Sequence, residues 1–182
     1  MPSNARNRLT TSLKDVDEII SAHVALTGGG RGRPALRQGA AVTRAGVVVL
    51  CAAMEVFIED LFEEAAPLIY PAASPNELNM LFSQTSERLN HPSIQKVTVL
   101  YFSIGMNHPL SQIRWKKMSN AAFQRNYAEF LNRRGQVAHG RQPPIRLQTL
   151  RGWKNMVENF SQRLEALTAT HIENQTGVRP AW

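Results

Sequence analysis

The run Val47-Val48-Val49-Leu50-Cys51-Ala52-Ala53-Met54 constrains the fold of this chain more than any other segment. It sits in the middle of a helical stretch from about Pro34 to Ala66 and is apolar on all sides. A helix with no polar face belongs at the centre of a fold, covered by others. Nearly every other periodic segment repeats apolar residues at steps of three and four, and none alternates convincingly as a strand. These patterns predict one all-α domain over residues 1–182: a bundle of about five to six helices with the apolar helix in its middle. Residues 1–5 and 174–182 read as flexible tails. Ala45 to Met54 is the longest apolar stretch, too short to span a bilayer.

The surrounding helices have legible starts and stops. The first covers about residues 6–26, with Leu9, Leu13, Val16, Ile20 and Val24 as its stripe. Gly28-Gly29-Gly30-Arg31-Gly32-Arg33-Pro34 follows. Three glycines do not continue a helix cheaply, and Pro34 suits the first turn of the next. Pro67 and Pro71 are expected to end the central helix. Ser74-Pro75-Asn76-Glu77 is a capping box with proline at the first helical position. A fourth helix starts near Pro92, carries Ile94, Val97, Tyr101 and Ile104 on one face, and stops at Gly105. Met106 to Lys117 reads as a loop. Ser119 is a good N-cap for a fifth helix bearing Phe123, Tyr127, Phe130 and Leu131. The last helix, about 147–172, runs Leu150, Trp153, Val157, Phe160, Leu164, Leu167 and His171 in unbroken steps of three and four, a seam like that of a coiled coil.

The chain carries 21 Lys and Arg against 14 Asp and Glu, a net charge of +7. That excess favours a polyanionic partner, most often nucleic acid. The single cysteine, Cys51, lies in an apolar run, which excludes an intrachain disulfide and fits a reducing compartment. The polar start, Met1-Pro2-Ser3-Asn4, lacks the apolar core of a signal peptide. A cytoplasmic protein with no membrane partner is expected.

The stretch with chemical content is Arg133-Arg134-Gly135-Gln136-Val137-Ala138-His139-Gly140, at the end of the fifth helix. A fixed cation near a group that transfers protons around neutral pH is what phosphodiester cleavage needs. Arg134 falls in line with the apolar face. On an ideal helix a residue five steps on is rotated by about 140°, so Arg134 and His139 converge only if the helix loosens, as Gly135 and Gly140 would permit. The plainer account is that Arg133, Arg134, His139 and Arg141 answer the helix dipole at a C-terminus.

Other candidates are weaker. Gly28 to Arg33 lacks the preceding strand and the Lys-Ser/Thr ending of a phosphate-binding loop, and reads as a basic interhelical connection whose arginines suit an RNA backbone. Glu55 lies eleven residues after Arg44, close to three turns, so the two share a face. A carboxylate between Met54 and Val56 calls for a partner, either a structural ion pair or the Arg–His site itself. Glu59, Asp60, Glu63 and Glu64 read as a solvated acidic face. His23, His91, His108 and His171 stand apart from one another, and the sequence offers no metal-ligand set and no cofactor motif.

Three stretches together resemble the HEPN superfamily, most closely the group described as RiboL-PSP-HEPN. They are the arginine-led apolar helix from Arg44 to Ile58 with its internal Glu55, the segment Phe130 to Gly140, and the amphipathic helix that follows. The resemblance implies a metal-independent endoribonuclease or an RNA-binding relative, without cofactor. It implies a homodimer with Arg–His pairs facing across the interface, working in toxin–antitoxin, anti-phage or RNA-processing systems beside an antitoxin or regulatory protein. Carried over, Arg134 would hold the scissile phosphate and His139 would act as general base or acid, giving 2′,3′-cyclic phosphate and 5′-hydroxyl ends. Arg133, Gln136, Arg141, Arg44 and Glu55 would bind RNA or support the pair. Gly135 departs from the family pattern, which usually has a polar residue directly after the arginine. Two further readings stay open: a catalytically silent module that binds RNA or a partner protein, and an interaction protein that oligomerises through the Leu150–His171 seam.

Overall fold

The computed structural model describes residues 1–28, 38–86 and 91–182. Six α-helices carry them: α1 (Asn4–Thr27), α2 (Ala40–Ile69), α3 (Pro75–Ser86), α4 (Ile94–Phe102), α5 (Asn120–Ala138) and α6 (Leu147–Thr176). No strand occurs among the described residues, so the all-α expectation holds. The basic stretch Gly29 to Arg33 and the expected start of the second helix at Pro34 lie outside the described residues.

α2 is the centre, packed along α1 and against α5 and α6, with α4 and α3 near its C-terminal half. Its buried side includes Val47, Leu50, Met54, Phe57, Ile58, Leu61 and Phe62. Gly46 lets the helices close up: a Cβ there would stand 2.6 Å from Leu150 Cδ2 on α6 and 3.1 Å from Ile19 Cγ2 on α1. An aromatic cluster fills the space between α2, α5 and α6. Phe123 and Phe160 stack at 5.7 Å, and Phe57 meets Phe160 edge-on at 6.4 Å.

The helix starts follow the sequence signals. Ser74 and Glu77 close the capping box on α3, Oγ of Ser74 donating to Glu77 Oε2 at 2.8 Å. Ser119 accepts from the Ala122 N–H at the start of α5. α4 begins at Ile94, two residues past Pro92, with Ser93 as its cap accepting from Lys96 N–H.

Several expectations need correction. α2 is not covered on all sides: Val48 is 36% and Val56 49% exposed, and Ala45 and Ala52 are exposed as well. These residues follow at steps of three and four, so one small-residue face of the core helix points outward. Pro67 does not end α2, which runs to Ile69. A proline in the last turn forfeits only its own N–H, and Tyr70 N–H still closes on Ala66 O at 2.9 Å. By length and hydropathy the full helix Ala40–Ile69 would suffice to cross a bilayer, longer than the Ala45–Met54 stretch suggests, and half of its most apolar window is buried in the bundle. The α1 stripe turns inward at His23, which is buried, while Val24 is 36% exposed.

The chain ends are tied down where tails were expected. Ser3 is buried, and both its N–H and its Oγ donate to Glu165 Oε1 on α6. Glu165 also pairs with Arg6. Glu64 on α2 accepts from the Asn4 and Ala5 N–H groups, and Asp60 pairs with Arg8 at 3.0 Å. Two members of the supposed solvated acidic face therefore hold the N-terminus of α1, where free N–H groups favour carboxylates. At the other end α6 continues to Thr176, and Trp182 packs against the core.

The Leu150–His171 seam is spent inside the chain. Leu150, Val157, Phe160 and Leu164 are fully buried, and His171 Nε2 donates to the Ile104 carbonyl at 2.7 Å. The 3.5-residue rhythm reflects packing on α2 and α1, not a surface for a second copy. The stretch read as a loop holds a 3-10 turn, Pro109–Gln112, and a small hairpin in which Trp115 and Met118 exchange backbone hydrogen bonds.

Candidate functional site

α5 places Arg134 one turn before its end, facing α2. Arg134 Nη2 stands 3.9 Å from Glu55 Oε2, and both side chains are mostly buried, 25% and 16% exposed. This is an ion pair without a hydrogen bond. Among the described residues, Arg134 Nε and Glu55 Oε1 are buried and have no hydrogen-bond partner. The guanidinium is held by the Glu55 charge and the neighbouring Cys51 and leaves Nε uncommitted among the described residues, which suits a group that must also meet an incoming anion.

Three more side chains complete the cluster. Cys51, one turn before Glu55 on α2, lies beside the guanidinium. Burial first, then the Glu55 charge, pushes its thiol up to about 12, against an opposing pull from Arg134. It therefore stays a neutral thiol. Burial likewise holds the Glu55 carboxyl above its usual range, while Arg134 and Lys96 pull it back. His91 is half-buried where Arg134 and Lys96 both act on it. Burial, then those two cations, keeps its imidazole below its ordinary value, so the neutral form persists further into acid. Tyr127 braces this corner: its hydroxyl donates to the Pro92 carbonyl at 2.5 Å, and burial drives its pKa far up.

α5 does not loosen at Gly135, as convergence of Arg134 and His139 would require. His139 N–H donates to the Gly135 carbonyl at 3.1 Å, so the helix is regular across the glycine. It ends later, where Gly140 N–H reaches Val137 O and Arg141 N–H reaches Gln136 O, with Gly140 at φ 74°. This is a Schellman motif, and the left-handed residue it requires is supplied by glycine. His139 is the exposed residue just before it. A regular helix sets Arg134 and His139 about 140° apart, so they occupy different sides of one helix end.

The structure thus brings Arg134 and Glu55 together and leaves the other sequence candidates dispersed. Arg133 turns to Glu129, 3.8 Å away. Gln136 reaches back to Asn132. Arg141 is exposed beyond the helix end. Arg44 shares the α2 face with Glu55 but lies about 16 Å along the axis, beyond ion-pair reach. Cys51, His91, Lys96 and Tyr127 were missed. Cys51 could have been found as the residue one turn from Glu55. His91 carries no local signal, because it meets Arg134 only through the packing of the segment before α4 against α2 and α5.

Fold and site together define a helical bundle built around an arginine at the end of its penultimate helix, paired to a carboxylate of the central helix. The chain belongs to the family described as RiboL-PSP-HEPN, whose model matches residues 9–169. Membership fits an RNase or nucleotide-related function. No curated protein and no solved structure matches the chain.

Proposed function

We propose that this protein is a metal-independent endoribonuclease that cuts single-stranded RNA to 2′,3′-cyclic phosphate and 5′-hydroxyl ends. The observation that carries the reading is Arg134: a cation fixed by Glu55 at the edge of the bundle, with Nε uncommitted among the described residues, on the helix whose exposed end is His139. Arg134 binds the scissile phosphate and stabilises the charge that builds on it. His139 takes the proton of the ribose 2′-hydroxyl. The 2′-oxygen attacks phosphorus, the 5′-oxygen leaves with a proton, and the cyclic phosphate remains. The net charge of +7 supports binding of the polyanion.

Because Arg134 and His139 occupy different sides of one helix end, the acting pair is drawn from two protomers. The uncovered face of α2, with Ala45, Val48, Ala52 and Val56, supports a homodimer: it is apolar, built of small side chains, and borders Glu55. Val99 and Phe102 of α4, 61% and 65% exposed, add further uncovered apolar surface. A toxin–antitoxin or anti-phage setting, with an antitoxin or regulatory partner in the cytoplasm, rests on the family alone.

A second reading, a silent RNA-binding module, is favoured by one observation. Gly135 supplies no polar group beside Arg134, and the space where its side chain would lie is open. Incubating the purified protein with labelled RNA in EDTA separates the two. Cleavage by the wild type but not by His139→Ala supports the enzyme. Salt-sensitive binding without cleavage supports the silent module.

A further inference from the structure

A groove of about 350 Å³ opens between α5, α6 and the Trp115–Met118 hairpin. Its apolar lining is Trp115, Met118, Trp153 and Met156; Asn126 and Asn155 stand among them. Both tryptophans are held from behind. Trp115 meets Phe123 edge-on at 5.9 Å, and Trp153 leans on Phe130 at 5.5 Å. Trp115 remains half-exposed.

Trp153 and Met156 are buried in the lining, and Gly152 beside them is exposed. Gly152 lies within α6, where glycine is a poor helix residue, yet no neighbour demands it: a Cβ there would meet nothing within 4 Å. The polar groups are underused. Asn126 Nδ2 donates only to the Met118 sulfur, at 3.7 Å, a weak acceptor. Asn155 Oδ1 accepts from Asn159, while its Nδ2 has no acceptor among the described residues.

The bordering hairpin is basic. Its tip is Lys116-Lys117, both exposed, with Lys117 in the left-handed backbone region at φ 70°, uncommon for a residue other than glycine. The one carboxylate in the lining, Glu129, is paired to Arg133.

A half-exposed indole, spare amide groups and two exposed lysines on the bordering hairpin match one ligand chemistry: a nucleobase carried on a phosphate backbone. We propose that this groove is a base-stacking subsite for single-stranded RNA, a short run of nucleotides away from the phosphate at Arg134. The proposal rests on the reading of the protein as one that binds RNA. Glu129 lies five residues before Arg134, about 7.5 Å along α5 and about 140° around it, so a strand reaching both places wraps the helix.

The test uses 2′-O-methyl oligoadenylate, which lacks the attacking hydroxyl, and an abasic ribose-phosphate oligomer of the same length. Binding of each is measured by fluorescence anisotropy across a salt series in EDTA, for wild type, Trp115→Ala and Gly152→Leu. The leucine fills the groove from a position with free space, so it guards against a Trp115 variant that folds poorly. The wild type is expected to favour the base-bearing oligomer by about 10-fold. Both variants should erase most of that preference while binding the abasic oligomer as before, with an unchanged salt slope. If the wild type binds both oligomers equally, or both variants keep the full preference, the groove is no base subsite, although RNA binding stands; a groove built for a peptide segment gives this result. If neither oligomer binds at low salt, the RNA reading itself fails and the subsite with it.

Discussion

Arg134 reaches from α5 to Glu55 on α2, Nη2 to Oε2 at 3.9 Å, and stops short of a hydrogen bond. The pair is buried enough that neither charge is comfortable alone. Replacing Arg134 by Met strands a carboxylate, which should destabilise the protein by about 1–3 kcal/mol. Adding Glu55→Gln should return part of that loss, and a double-mutant cycle in urea measures it.

The same pair predicts the pH dependence of that loss. Burial already holds the Glu55 carboxyl above 4.5 in the folded state, and Arg134 opposes the shift. A folded-state pKa above the unfolded one favours the protonated native form, so stability falls as pH rises from 4.5 through the folded value. Without Arg134 the folded value climbs further. The deficit of Arg134→Met should therefore be small near pH ~4 and grow toward pH ~8. A deficit that does not change with pH would mean that Glu55 does not feel Arg134.

His91 supplies an independent readout of the cluster. Burial, then Arg134 and Lys96, depress its imidazole below 6.5. Its neutral form favours the native state above 6.5, and that contribution is lost as pH falls toward the folded value. An NMR titration should give a midpoint below 6.5 that rises in Arg134→Met and in Lys96→Met. Neither variant should restore 6.5 in full, because burial is the largest cause.

Much of this fold was legible because its signals are local. The capping box at Ser74, the caps at Ser119 and Gly140 and the steps of three and four each concern one helix. What stayed hidden depends on how helices meet. The carboxylates Asp60 and Glu64 look solvated until α1 is laid against them, and the α6 seam looks free until α2 occupies it. Arg134 and Glu55 were both singled out in the sequence, but 79 positions separate them, and only the α2–α5 packing makes them partners. His91 shows the same limit: a histidine before a proline reads as a turn.

Gly135 is predicted to be replaceable. It lies inside a regular helix, and a side chain there meets open space. Gly135→Ala should stabilise the protein by about 0.5–1 kcal/mol through helix propensity, raising the melting temperature. Gly135→Asn places an amide beside Arg134 and should raise the cleavage rate. A fall in melting temperature for both would show that glycine is needed there.

Glu165 is expected to matter for stability alone. It accepts from Ser3 N–H and Oγ and pairs with Arg6 while buried. Glu165→Ala orphans all three groups and should cost about 2–4 kcal/mol, seen as an earlier urea midpoint. In the surviving folded fraction, RNA cleavage per molecule should be unchanged.

The most direct measurement is end-group analysis of RNA incubated in EDTA with wild type, Arg134→Ala and His139→Ala. His139 is exposed, so its loss should leave stability within about 0.5 kcal/mol. The wild type is predicted to give 2′,3′-cyclic phosphate and 5′-hydroxyl ends, and either variant to give none. Fragments with 5′-phosphate ends, or cleavage that survives the loss of His139, would contradict the account.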